Sequence, residues 1–286
     1  MAISIQTNYA SLVAQNSLAK STESLNTSME RLGTGFRINS AKDDAAGLTI
    51  ANRMNTDMVG MNAGISNIEK TQDMLQTADQ AMAELTSITD RMTELATQAS
   101  NGTNSTADLA AMDEEFQKLA TEANRIYNDT QYAGNDLFGK LSAGSMNVQI
   151  GRNGSADSIS VDVSAEMTKM GSSLAALSGM SFVSGSGSSM TTTGSAQDIL
   201  TELSDTSDDI SAARSATGAY INSLEHTKSN LMNVEMNTEV AKGRIMDADF
   251  AEEGANMSKQ MMLQQSGTMV MANAKSMSGL ALNLIG

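Results

Sequence analysis

The longest regular pattern in the chain lies in its C-terminal third. Ala196, Ile199, Leu203, Thr206, Ile210, Ala213, Thr217, Tyr220, Leu224, Thr227, Leu231, Val234, Thr238, Ala241 and Ile245 follow one another at alternating steps of three and four residues. That spacing keeps them on one stripe of an α-helix, about seven heptads long and roughly 75 Å at the helical rise per residue. So narrow a stripe is not stable alone and predicts a second helix of similar length to pack on. Ala51, Met54, Met58, Met61, Ile65, Ile68, Gln72 and Leu75 supply one with the same alternation, and after a slip in register Ala78, Met82, Leu85, Met92, Leu95 and Ala99 continue it. The chain is therefore expected to fold back on itself.

Shorter patterns fill the rest. Leu18, Thr22, Leu25, Met29 and Leu32 place a helix over Ile3 to Leu32, which Gly33 and Gly35 close. Ser40, with Asp43 and Asp44 behind it, reads as the N-cap and acidic first turn of the next helix. Asn101-Gly102 is a turn, and Leu109, Met112, Phe116, Leu119, Ala123 and Ile126 predict a third helix starting near Ser105 to Asp108. Past Tyr132 the period falls to two. Asn147 to Ile150 and Ser158 to Val163, separated by turn-forming residues, predict one β-hairpin lying on the helices. Met167, Met170, Leu174 and Leu177 predict a short helix, and the charge-free Ser, Gly and Thr of Ser178 to Ser195 a flexible surface connection. In the last helix Met257, Met261, Met262, Met269, Val270, Met271, Leu280, Leu282 and Leu284 form a broad apolar surface. The fold class is mainly α: a long antiparallel helical coiled-coil bundle with one small β-hairpin and with the N- and C-terminal helices paired.

Composition sharpens this picture. Aromatics make up only 3% of 286 residues and Trp is absent, while the 40% apolar content includes 23 Met, which suits thin helical seams better than a deep core. No Pro interrupts the helices, and no Cys is available for disulfides. The net charge of −15 argues against nucleic acid as a partner. It belongs to the middle of the chain: residues 1 to 60 hold five basic and five acidic residues, and residues 255 to 286 hold Lys259, Lys275 and no acid. The ends are thus free to pack against copies of themselves. No secretory signal pattern opens the chain, and no apolar run reaches the roughly 18 residues of a membrane span. A membrane-acting coiled-coil effector would need a cationic face that the terminal helices lack.

Chemistry has little to stand on. His226 is the one histidine, without a second His or Cys to complete a metal site, and no H-E-x-x-H occurs. Asp43-Asp44 and Glu252-Glu253 lie beside helix starts, where carboxylates favour the dipole. Gly33-Thr34-Gly35 is too short to cradle a phosphate. No catalytic, metal or cofactor residue is expected.

Two segments carry a family resemblance. RLGTGFRINSAKDDAAGLTIANRM, from Arg31 to Met54, resembles the N-terminal segment of bacterial flagellin, the subunit of the flagellar filament, and MDADFAEEGANMSKQMMLQQSGTMVMANA, from Met246 to Ala274, resembles its C-terminal end. The likeness covers residues 1 to about 140 and 196 to 286. Gly33 and Thr34 stand where a Ser pair is more usual, and the central insertion of longer flagellins is nearly absent. The resemblance implies a structural protein that polymerises through its ends for swimming motility; the alternative is a hook-filament junction or cap component. It implies inner filament-core helices at 1–45 and 246–286 and an outer bundle at 46–177 and 196–245. The polymerisation interface would use Ile5, Leu12, Leu25, Leu32, Met257, Met261, Met269, Leu280 and Leu284, and the spoke Arg31, Gly35, Arg37, Asn39, Asp43 and Asp44. It further implies an extracellular location reached without a cleavable signal peptide, O-glycosylation within Ser178 to Ser195, and as partners an export chaperone, cap and junction proteins. A vertebrate innate immune receptor would read Arg91, Leu95 and Glu115.

Overall fold

The computed structural model describes residues 8–182 and 192–285. These form two compact units, residues 59–235 and residues 1–58 with 236–286. Seven helices are described: α1 (Tyr9–Thr34), α2 (Ala45–Ala99), α3 (Thr106–Asp129), α4 (Leu137–Ser142), α5 (Ser164–Leu177), α6 (Thr192–Met246) and α7 (Phe250–Ile285). Four short strands, β1 (Gln131–Tyr132), β2 (Asn135–Asp136), β3 (Met146–Gln149) and β4 (Ser158–Val161), pair as two antiparallel hairpins.

The unit spanning 59–235 holds the hydrophobic core. Along α6 the expected stripe is buried from Ala196 through Ile199, Leu203, Thr206, Ile210, Ala213 and Thr217 to Leu224, and along α2 it is buried from Ile68 to Ala99. Polar contacts fix the direction of the pair. Asn62 reaches Glu235, Glu69 pairs with Lys228 at 2.7 Å and Asp79 with Arg214 at 2.9 Å, so partners on α6 fall in number as those on α2 rise. The two helices are antiparallel. α3 opens with a capping box between Ser105 and Asp108 and buries Leu109, Phe116, Ala120 and Ala123 on one face.

The predicted β-hairpin is present one residue early on its first strand, pairing Met146 with Val161 and Val148 with Ile159. Val148 and Val161 face the core. Glycines let it lie close on α2: a Cβ at Gly64 would overlap the Ile150 carbonyl, whose carbon is 2.6 Å away, and Asn67 Nδ2 donates to the Gln149 carbonyl at 3.0 Å. A second hairpin, β1–β2, corrects the expectation of one. Its strands are two residues each, too short to show a period, and its turn places Ala133 at φ 51 and Gly134 at φ 79. α4 follows, capped by Asp136 and burying Leu137, Phe138 and Leu141; Phe138 stacks on Tyr127 at 5.0 Å. At the far end Asp113 accepts from the Phe182 amide at 2.7 Å and from Ser181 Oγ at 2.9 Å, while Phe182 meets Phe116 at 4.9 Å. Half of the connection expected at Ser178 to Ser195, residues 183–191, lies outside the described residues, and its last four residues, Thr192 to Ser195, instead open α6.

In the other unit α1 packs on α7, as expected. α1 starts from Asn8, whose side chain accepts from the Ser11 amide at 3.1 Å and donates to the Ala274 carbonyl at 2.8 Å. The helix continues through Gly33 and ends at Gly35, which takes φ 78, a conformation costly to any residue with a Cβ. The cap of α2 is Asp44 rather than Ser40: Asp44 Oδ1 accepts from the Gly47 amide at 2.9 Å, whereas Ser40 turns back to Asp43.

Candidate self-assembly surface

The α1–α7 pair buries the wrong residues for a self-sufficient core. On α1 the buried positions are Ser11, Ala14, Leu25 and Ser28, mostly small or polar, and on α7 the one buried position among those described is Glu253. Large apolar side chains point outward instead: Leu12 is 66% exposed, Met262 65% and Met269 61%, with Tyr9, Val13, Met261 and Val270 also exposed. Between the helices an apolar groove of about 650 Å³ runs along Tyr9, Val13, Leu18, Leu263 and Val270. Helix α7 carries apolar residues on all sides, as a helix does when it is covered all round. Among the expected interface residues, Leu12, Met261 and Met269 are exposed, Leu32 and Met257 half-buried, and Leu25 is turned into the seam of its own chain. Ile5 lies outside the described residues; Leu280 and Leu284 are in α7, with side chains outside them. Tyr9, Val13, Met262 and Val270 join the exposed set, a grouping that only the choice of α1 face facing α7 reveals.

The residues expected to form the spoke are stitched to the returning chain. The Arg37 amide donates to the Met246 carbonyl at 2.6 Å and the Ala248 amide to the Gly35 carbonyl at 2.9 Å, flanking an antiparallel bridge between Phe36 and Asp247. The Arg37 guanidinium adds a bond to the Ile245 carbonyl at 2.9 Å, and Asn39 Nδ2 donates to the Phe36 carbonyl at 3.1 Å. Asp43 Oδ2 gathers the Asn39 and Ser40 amides and the Ser40 hydroxyl at 2.9–3.2 Å. The Ser40 amide, then its hydroxyl, hold the Asp43 carboxyl below its usual range. Ile38, 2% exposed, closes over Gly47.

Arg31 does more than begin the spoke. Its Nη1 pairs with Glu253 Oε1 at 2.8 Å, and Ser28 Oγ donates to Glu253 Oε2 at 2.8 Å. The carboxylate is buried, and the hydrogen bond from Arg31 holds its pKa below the ordinary value against the opposing effect of burial. Arg31 Nε is buried without a partner. Glu253 lies in the first turn of α7, as a dipole-favouring acid would; its bond to a residue on α1 has no local sequence signal.

Arg91 and Glu115 are brought together from α2 and α3, with Nη2 2.8 Å from Glu115 Oε1 and Nη1 2.7 Å from Glu94 Oε2. Both acids raise the Arg91 pKa, Glu115 first. Leu95 is separate from them in surface terms: it is 2% exposed and belongs to the core seam. His226 is exposed on α6. Among the described residues no group of three or more His, Cys, Asp and Glu is placed to hold a metal ion, and no helix is long and apolar enough to cross a membrane.

Comparison with known proteins agrees with this layout. Residues 5–143 match the bacterial flagellin N-terminal helical region and residues 200–285 the bacterial flagellin C-terminal helical region. The chain is 32% identical to polar flagellin F of Vibrio parahaemolyticus and 31% identical to flagellin A of Vibrio anguillarum, each comparison covering all of both chains. Those alignments run to 377 and 379 residues against 286 here, so the relatives carry insertions that this chain lacks. A solved structure of a putative flagellar hook-associated protein from Vibrio parahaemolyticus is similar with a TM-score of 0.55, over 72% of this chain and all of that one; at 13% identity this is a likeness of fold alone. With both helical regions matched in order around an exposed apolar pair of terminal helices, the chain belongs to the bacterial flagellin family and is a structural subunit of the extracellular flagellar filament.

Proposed function

We propose that the subunits of this filament meet through the exposed apolar side chains of α1 and α7, with Leu12, Met261 and Met269 at the contact and Tyr9, Val13, Met262 and Val270 beside them. One observation supports this: the buried core cluster lies within residues 59–235, while residues 1–58 and 236–286 expose most of the large apolar side chains. Covering an exposed Leu or Met contributes about 1.5–3 kcal/mol each, enough in sum to hold subunits together. Ile5, Leu25, Leu32, Met257, Leu280 and Leu284 complete the expected contact, Leu25 by shaping the α1–α7 seam rather than by touching a neighbour. In this reading residues 1–45 and 246–286 form the inner filament layer, and the spoke residues Arg31 to Asp44 join it to the outer one.

The test is assembly of purified protein watched by electron microscopy. Leu12→Asp and Met262→Asp should each abolish filaments while the helical circular dichroism signal is retained. Filaments of normal length from both variants would overturn the reading.

The finer partnerships follow from the family. An export chaperone would cover the apolar α7 before assembly, the chain would leave the cell without a cleavable signal, and cap and junction proteins would meet the filament at its two ends. The vertebrate innate receptor would read Arg91 and Glu115, exposed side by side, with Leu95 supporting them from beneath. The expected glycosylation falls in Ser178 to Ser195, half of which, residues 183–191, is outside the described residues.

A further inference from the structure

Residues 59–235 carry 23 Asp and Glu against 9 Lys and Arg, an excess in which cations are expected to be taken by neighbouring acids. Arg91, Lys118, Arg125, Arg214 and Lys228 all sit in ion pairs. Lys70 and Lys140 do not, among the described residues, and they flank the same depression. Lys169, on α5, likewise forms no ion pair among the described residues but lies apart from this depression.

The depression has about 190 Å³ of space, with Lys70 and Thr71 of α2 on one side, Asn135 and Lys140 on the other, and Met74 and Leu137 beneath. Its wall is held firmly. Tyr132 Oη donates to the Lys70 carbonyl at 3.1 Å, and Asp136, the one acid at the rim, accepts from the Gly139 amide at 3.1 Å to cap α4. Ala133 is the only non-glycine with positive φ among the described residues. An alanine held there costs free energy, and such strain concentrates where surrounding structure fixes a turn for use. The volume is below the roughly 300–1,000 Å³ typical of small-molecule sites and suits one or two side chains.

Resting on the reading of this protein as a self-assembling subunit, we propose that the Lys70–Lys140 depression receives the acidic run Asp198 to Asp209 of a second copy of the chain. That run holds Asp198, Glu202, Asp205, Asp208 and Asp209 and no cation. Asp209 is engaged by Ser173 Oγ at 2.5 Å, whereas Asp198, Asp205 and Asp208 are exposed and form no ion pair among the described residues. A helical polymer is built from heterologous contacts, in which two different patches of one subunit must complement each other. Here two unpaired lysines around a small pocket complement a cation-free acidic helix edge. Charges of this kind fix register and suppress wrong contacts, which an apolar interface alone does weakly.

The experiment compares critical concentrations for polymerisation at low salt. The unsubstituted chain must form filaments; their absence would overturn the self-assembly reading and this contact with it. Given those filaments, Lys70→Glu with Lys140→Glu should raise the critical concentration by about tenfold or more, since like charges would then face each other across a desolvated contact. The increase should shrink as salt screens the pair. Adding Asp205→Lys and Asp208→Lys to the same chain should restore assembly. Circular dichroism and the unfolding midpoint of each variant report whether the fold is intact. Normal assembly of the lysine-reversed chain, or no restoration by the second reversal in a folded chain, would overturn this contact alone.

Discussion

Arg31 and Glu253 are 222 positions apart in sequence, and their side chains meet at 2.8 Å across the α1–α7 seam. Few buried apolar contacts hold those helices together, so this charged contact carries an unusual share of their pairing. Pairing with Arg31 lowers the Glu253 pKa below its ordinary 4.5. Its contribution is therefore complete above the unfolded-state value and is lost as pH falls through the lower native one. Glu253→Gln should weaken the seam by about 1–3 kcal/mol and make it insensitive to that acid step. Protease cleavage within residues 9–34 of monomer, followed between neutral pH and pH 3, should rise on acidification in the unsubstituted chain only; the same acid response in the variant would assign it to other carboxylates.

Gly64 and Gly60 lie one helical turn apart under the β3–β4 hairpin. A Cβ at Gly64 has no room beneath Ile150, whereas one at Gly60 would meet Arg152 at 3.4 Å, an ordinary contact. Gly64→Ala should destabilise the unit by about 1–3 kcal/mol through overpacking, despite the better helix propensity of Ala. Gly60→Ala should be neutral or slightly stabilising by that propensity. Thermal unfolding of the two variants separates them, and equal midpoints would show that the hairpin does not rest on α2 as described.

The methionines divide by position. Met82, Met92, Met167 and Met170 are fully buried in the unit spanning 59–235, where Met232 is exposed, and Met29, Met236, Met261, Met262 and Met269 are exposed in the other. Mild peroxide should convert the second group to polar sulfoxides first. Assembly should then fail while the helix content changes little; peptide mapping identifies the oxidised positions. Normal assembly with Met261, Met262 and Met269 fully oxidised would remove them from the subunit contact.

Receptor recognition and folding should separate at neighbouring positions. Arg91→Ala removes an exposed ion pair and should leave the unfolding midpoint unchanged while abolishing signalling through the innate receptor. Leu95→Ala opens a cavity and should cost about 2–5 kcal/mol of stability. Unchanged signalling by Arg91→Ala would end the assignment of that residue to recognition.

What was legible in the sequence follows from the length of each pattern. The α6 stripe from Ala196 to Leu224 repeats often enough that its face is unmistakable, and each of those positions is buried except Tyr220, which packs half-buried against the same core. The same stripe continues at Val234 without burial, since that residue is 43% exposed: periodicity reports which side chains share a face, not whether anything covers it. The β1–β2 turn and α4 were not legible because two-residue strands and a six-residue helix complete no period. Leu137, Phe138 and Leu141 behind Asp136 were the available signal, a capped apolar turn. At the ends, composition marked α1 and α7 as apolar and nearly free of net charge, but choosing Leu12 over Leu25 for the proposed contact required knowing which face of α1 meets α7. The Ser28–Arg31–Glu253 contact joins opposite ends of the chain, beyond the reach of any local pattern.

The clasp between Gly35–Arg37 and Met246–Ala248 has a mechanical consequence. Its two backbone hydrogen bonds run in opposite senses across one antiparallel bridge, with the Arg37 guanidinium bonded to Ile245 as a third strut. Tension drawn along the spoke loads these bonds side by side, so they yield together rather than one after another. In the proposed filament, torque reaching a subunit through the spoke would then enter the outgoing and returning segments as a shared load, and neither would have to bear it alone.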